Sequence, residues 1–229
     1  MDEQITYGAT TAPFSLLHYV FGWMAGALAL TAAVAYYVAQ SPAIFRFFFS
    51  SPLMLVALFI GQLALVFALN MLIERVSFGV ALALFLAYAA TVGITFSVIF
   101  QLYTAASIYA TFAVTSGMFG ATALYGYFTK ADLSRFGSIA FMGLIGLIIA
   151  GLVNLWLKNQ AFDYVISAIG VLVFTALTAY DMQAIKQWRV SAQNEDLYPK
   201  LALIGALKLY LDFINLFLYL LRFTGRRRN

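Results

Sequence analysis

The strongest constraint on this chain is a succession of seven apolar stretches, each close to twenty residues long and separated by short polar breaks. A helix rises about 1.5 Å per residue and needs about 20 apolar residues to cross a hydrocarbon core about 30 Å thick. Stretches of that kind fall at 18–40, 52–73, 77–99, 104–128, 136–157, 161–180 and 201–222. The breaks come at Ser41-Pro42, Ser51-Pro52, Glu74-Arg75, Lys130 to Arg135, Lys158 to Asp163 and Lys186 to Lys200. The break near Gln101, Leu102 and Tyr103 carries no charge, so the third and fourth spans have the least marked boundary. Only 10% of the residues are charged, against about 25% in an average soluble domain, too few to coat a water-facing globule. The expectation is an all-α integral membrane protein, a bundle of seven transmembrane helices over 18–223. A short arm (1–17) precedes it and a basic tail (224–229) follows.

The same residues exclude several classes of function. The chain has no cysteine, which removes disulfides, thiolate metal sites and cysteine nucleophiles. Its single histidine, His18, cannot build a multi-histidine metal site and has no hydrolase motif around it, so no enzyme is expected. The net charge of +4 does not argue for nucleic acid, because Arg222, Arg226, Arg227 and Arg228 crowd the C-terminus beside a span. A basic tail in that position anchors at lipid headgroups. The first apolar stretch follows Asp2 and Glu3 and is too long for a signal h-region, so it reads as a retained helix.

Lys and Arg in the short loops set orientation. With the N-terminus in the cytoplasm, the inner loops hold Arg75, Lys130, Arg135, Lys186, Arg189 and Lys200, and the outer loops hold only Arg46 and Lys158. That favours a cytoplasmic N-terminus. Seven full crossings would then leave the four C-terminal arginines outside, unless the last segment re-enters. Gly22 and Gly26 form a GxxxG pair, and Gly117, Gly120, Gly143 and Gly146 add further flat faces. Packing inside a monomeric bundle is their expected use.

The informative charges are those inside spans. Asp212 lies about eleven residues, or about 16 Å, into the last span, near mid-bilayer. An aspartate there costs at least about 2.5–3.5 kcal/mol and should face the bundle interior with a partner. Asn215 would share roughly its face, and Lys208, four residues earlier, can pair with it while snorkelling toward the interface. Asp181 closes the sixth span, as an interfacial carboxylate or as a second member of the same site. If the two helices pack, Asp181 and Asp212 would titrate as a coupled pair. Ionised, they would offer a hard cation such as Ca²⁺ a partial oxygen cage, hence weak binding of the kind permeation needs.

These motifs resemble the BAX inhibitor-1 (transmembrane BAX inhibitor motif) family, in particular its bacterial branch. The segment 205–222, GALKLYLDFINLFLYLLR, is similar to the family's C-terminal signature, and 178–186, TAYDMQAIK, to its YDxQxIK segment. The stretch from Thr115 to Tyr125 fits the fourth span. The resemblance implies six helices surrounding a central seventh, in a bacterial inner membrane. It also implies a pH-sensitive calcium leak whose di-aspartyl sensor falls on Asp181 and Asp212. In the family a basic residue near the end of the second span pairs with one aspartate and holds the closed state; Arg75 is the candidate here. Lys208 departs from the pattern, where a small or hydroxyl residue is usual. Its ammonium would repel Ca²⁺, which predicts weaker conduction or a shifted pH midpoint.

Two rivals belong to other classes. Some bacterial relatives are thought to bind and restrain a membrane-anchored AAA protease, and the arm from Met1 to Pro13 could serve as the handle. An intramembrane aspartyl protease would use Tyr180-Asp181 as half of its pattern. The segment before Asp212 lacks the Gly-x-Gly-Asp that the other half requires, and no Pro-Ala-Leu element follows.

Overall fold

The computed structural model describes residues 13–188 and 197–228. The arm 1–12, Arg189 and most of the last loop, and Asn229 lie outside the described residues. Eight helices follow in order: α1 (Pro13–Gln40), α2 (Pro42–Phe49), α3 (Pro52–Leu72), α4 (Phe78–Leu102), α5 (Ala105–Phe128), α6 (Ser134–Leu157), α7 (Gln160–Gln187) and α8 (Leu197–Thr224). The described residues are thus all-α. Six of the helices, all the long ones except α5, are long and apolar enough to cross a membrane. Helix α5 has the length but is diluted by Thr111, Thr115, Ser116, Thr122 and three glycines.

Local chemistry explains most boundaries. Pro42 and Pro52 open α2 and α3, where a missing N–H costs nothing. Ser77, Thr104 and Asn159 cap α4, α5 and α7 by accepting from the amides of Val80, Ser107 and Phe162. Thr104 marks the break that carries no charge: a hydroxyl cap stops one helix and starts the next. Helix α6 ends on Lys158 in the left-handed region (φ 48°). Helix α1 begins before residue 18, and α7 runs seven residues past the expected end of its span. The segment 42–49, expected as loop, is the short helix α2, with no buried residue and Phe45 stacked on Phe49. An exposed aromatic helix of this size suits the membrane interface.

The long helices alternate in direction. Gly170 meets Tyr219, Asp181 meets Lys208 and Ile185 meets Gly205, so α7 and α8 run antiparallel. Helix α4 runs parallel to both α1 and α8: Thr31 bonds Ala89, Phe85 meets Tyr210 edge to face and Phe96 stacks on Phe217. One end of the bundle therefore gathers the start of α1, the α3–α4 and α5–α6 turns and the end of α7. The other gathers α2, the α4–α5 and α6–α7 turns and the C-terminal tail. Helix α8 is the buried one: 67% of its apolar window is inside the protein, against 6% for α3. Its principal neighbours are α1, α4, α5 and α7, while α3 packs on α4 and α6 on α7 from outside. The expected ring of six around one is in fact four helices around α8 and two in an outer layer.

The glycines divide differently from expectation. Gly143 touches Val173, but Gly22, Gly26, Gly117, Gly120 and Gly146 face open space. Close approach is made elsewhere. A Cβ at Gly126 would collide with the Ala179 carbonyl, and one at Gly137 would lie 2.5 Å from the Tyr180 ring, so α5 and α6 both sit against α7 through glycine.

Candidate functional site

The polar heart of the bundle lies between α7 and α8. Asp181, expected to close its span, sits six residues before the end of α7, because the helix runs on past it. Its Oδ1 accepts from Lys208 Nζ at 3.2 Å; the Asp181 side chain is 13% exposed and that of Lys208 38%. Asp212, one turn beyond Lys208 on α8, is 4% exposed, and its Oδ2 is buried without a hydrogen-bond partner. Lys208 joins Asp181 on α7 to the stretch of α8 that carries Asp212. Two carboxylates and one ammonium thus form a ladder along the α7–α8 seam.

Lys208 bonds across to α7 and not along its own helix to Asp212. The reason is geometric. Helical side chains lean toward the N-terminus, so Lys208 leans away from Asp212 and down to the level of Asp181. Lys before Asp is also the weaker order for a same-helix pair. Lys208 therefore neutralises the outer carboxylate and leaves the deeper one, Asp212, with an unbonded oxygen in an apolar surround. Such a group is costly, and it is a functional candidate on that ground.

The other sequence candidates are placed elsewhere. Arg75 is exposed in the α3–α4 turn and makes no salt bridge to Asp181 or Asp212. Helix α3 packs principally on α4 and not on α7 or α8. Asn215 donates to its own helix, to the Leu211 carbonyl at 2.8 Å, so that donor is not offered to Asp212. His18 is exposed near the start of α1. Among the described residues no three His, Asp or Glu side chains converge into a metal cluster. The carboxylate pair can give a cation only a partial cage.

Two residues of the 178–186 segment matter more than their spacing suggested. Gln183, 7% exposed, accepts from the Leu133 amide at 2.9 Å and donates to the Ala131 carbonyl at 2.8 Å. It clamps the α5–α6 turn onto α7. Lys186 donates to the Tyr127 carbonyl and lies over the Tyr127 ring, closing the C-terminal end of α5. A glutamine and a lysine within one turn or two of a buried Asp were the available signal; both hold in place the helix that carries Asp181. A second support is the Thr31 hydroxyl, which donates to the Ala89 carbonyl and shares a 2.7 Å contact with Tyr210 Oη, tying α1, α4 and α8 together.

The segments that build this site, the end of α7 and the middle of α8, are those of the family resemblance, and the match extends over the whole bundle. The sequence matches the family described as Inhibitor of apoptosis-promoting Bax1 over residues 14–229. The chain belongs to that family. It is 51% identical over 211 residues to the Inner membrane protein YbhL of Escherichia coli, covering 91% of this chain and 90% of the relative. A Borreliella burgdorferi protein is 44% identical over 211 residues (92% and 91% covered). One from Deinococcus radiodurans is 42% identical over 207 residues (90% and 88% covered). The chain is a membrane protein of the Bax1-inhibitor family, and these three relatives share nearly its whole length.

Proposed function

We propose that this protein is a pH-sensitive calcium leak of the BAX inhibitor-1 type, with Asp181 and Asp212 as its sensor and Lys208 as its latch. The observation that carries the reading is the Asp181–Lys208–Asp212 ladder where α7 meets α8, the most buried helix of the bundle. In this reading α5 crosses with the other long helices, giving seven spans with the N-terminus in the cytoplasm and the tail on the opposite side. Kinship with an inner membrane protein of Escherichia coli supports a bacterial inner membrane.

The ladder supplies a mechanism. With both carboxylates ionised, the ammonium of Lys208 holds Asp181 and keeps α7 against α8. Protonating Asp181 removes the charge that retains Lys208, whose partly exposed side chain can then swing toward the interface and unblock the seam. The cation that follows would meet only the carboxylate of Asp212 and the neutral carboxyl of Asp181, too few charged oxygens to trap it, which suits passage. Lys208 takes over the role expected of Arg75, from α8 and at closer range.

The test is influx into liposomes that enclose a calcium dye, measured from pH 5 to pH 8 beside empty vesicles. The reading expects protein-dependent influx that changes with pH. Influx equal to that of empty vesicles at every pH refutes it.

A further inference from the structure

We propose that the bundle binds one anionic phospholipid at the end where α4 passes into α5, its headgroup in a polar cavity and an acyl chain in the groove beneath. The cavity measures about 580 Å³ and is lined on its polar side by Tyr36, Gln40, Gln101, Thr104, Tyr109 and Arg228. Phe100 and Ile108 belong both to this cavity and to a narrow apolar groove that runs inward from it. The groove passes between α1, α4, α5 and α8 along Leu28, Ala32, Phe96, Phe112, Phe213 and Phe217.

Length and charge identify the occupant. From Ala39, in the cavity, to Leu28, at the foot of the groove, is eleven residues of α1. That is about 16 Å, close to half of a hydrocarbon core about 30 Å thick. One leaflet's acyl chain fits that depth. The side chains lining the cavity include Arg228 and no acid. The exposed Arg226 and Arg227 stand beside it. The tail is pinned at the mouth by its backbone: Thr104 donates to the Arg226 carbonyl, Arg228 donates to the Leu102 carbonyl at 2.8 Å, and the Arg226 amide donates to Ser107 Oγ at 3.0 Å. Three cations are therefore held at the level where helices end. Exposed Tyr36 and Tyr109 flank the cavity there, as amphipathic rings do at headgroup depth. A zwitterionic phospholipid would fill the groove equally well, but its choline cation would cancel its phosphate, leaving the arginines without a net counter-charge.

Native mass spectrometry of the detergent-released protein tests this, with phosphatidylglycerol and phosphatidylcholine of the same chains supplied in turn. The wild type should retain phosphatidylglycerol in preference. Arg228→Gln should lower that retention about fivefold, the worth of one cation near a headgroup. Ala32→Phe, which fills the groove from its exposed lip, should lower retention of both lipids. Lys158→Gln, at the same end but outside the cavity, should change nothing. Equal retention of the two lipids overturns the proposal, as does equal loss in Lys158→Gln and Arg228→Gln. If Ala32→Phe does not elute as a folded monodisperse species, Arg228→Gln alone decides, because its side chain is exposed and its removal leaves the bundle intact.

Discussion

Replacing Lys208 with serine removes the ammonium while keeping a small polar side chain on α8, and it separates two roles of that lysine. The first is stability. At 3.2 Å the Lys208–Asp181 pair has a Coulomb energy of about 5 kcal/mol at an effective dielectric of about 20. Desolvation and the 38% exposure of Lys208 offset most of it. The net loss should be about 1–2 kcal/mol, enough to lower the melting temperature in detergent by a few degrees without unfolding the bundle. The second role is electrostatic blockade. A divalent cation bound by the carboxylates would sit about 5 Å from the ammonium, which opposes it by about 7 kcal/mol at the same dielectric. A fifth of that repulsion, about 1.4 kcal/mol, is a factor of ten. Calcium influx into dye-loaded liposomes should therefore rise at least about tenfold in Lys208→Ser and lose part of its pH dependence. A stable Lys208→Ser protein whose influx matches wild type at every pH would refute the latch.

Three further substitutions test the frame around the site. Gln183→Leu removes both bonds that clamp the α5–α6 turn; it should cost about 2 kcal/mol and speed tryptic cleavage at Lys130, followed on a gel. Gly126→Ala forces α5 off the Ala179 carbonyl and should cost about 1–3 kcal/mol, read as a lower melting temperature. Lys158→Gly relieves a left-handed backbone position at the end of α6 and should stabilise by about 0.5–1 kcal/mol in the same measurement.

Six of the seven expected spans were legible because crossing a bilayer imposes one length and one composition, and both can be counted. Helix ends were less so: α7 continues through Asp181 to Gln187 because a helix carries polar residues past the hydrocarbon without breaking. Helix α2 was missed for the opposite reason, since two Ser-Pro breaks ten residues apart look like loop boundaries from sequence. Both aspartates could be located from their isolation in apolar runs. Their partner could not. Sequence spacing places Lys208 with Asp212, and only the tilt of side chains on α8 and the register of α7 give it to Asp181. Arg75, expected from the resemblance as the partner, makes no ion pair with either aspartate in this structure, where α3 packs principally on α4. Gln183 and Lys186 were in view within one motif, but what they hold is the α5–α6 turn and the end of α5, 50 and 59 residues away in the chain, and a single sequence does not display that pairing.

The central claim is that Asp181 and Asp212 sense pH as one unit, and neutralising each in turn tests it most directly. Influx of calcium into dye-loaded liposomes would be followed from pH 5 to pH 8 for wild type, Asp181→Asn and Asp212→Asn. The account predicts pH-dependent influx in wild type and a flattened or displaced profile in both variants. Profiles of both variants superimposable on that of wild type would contradict it. Should wild type itself equal empty vesicles, restraint of a membrane-anchored AAA protease through residues 1–13 becomes the function to pursue.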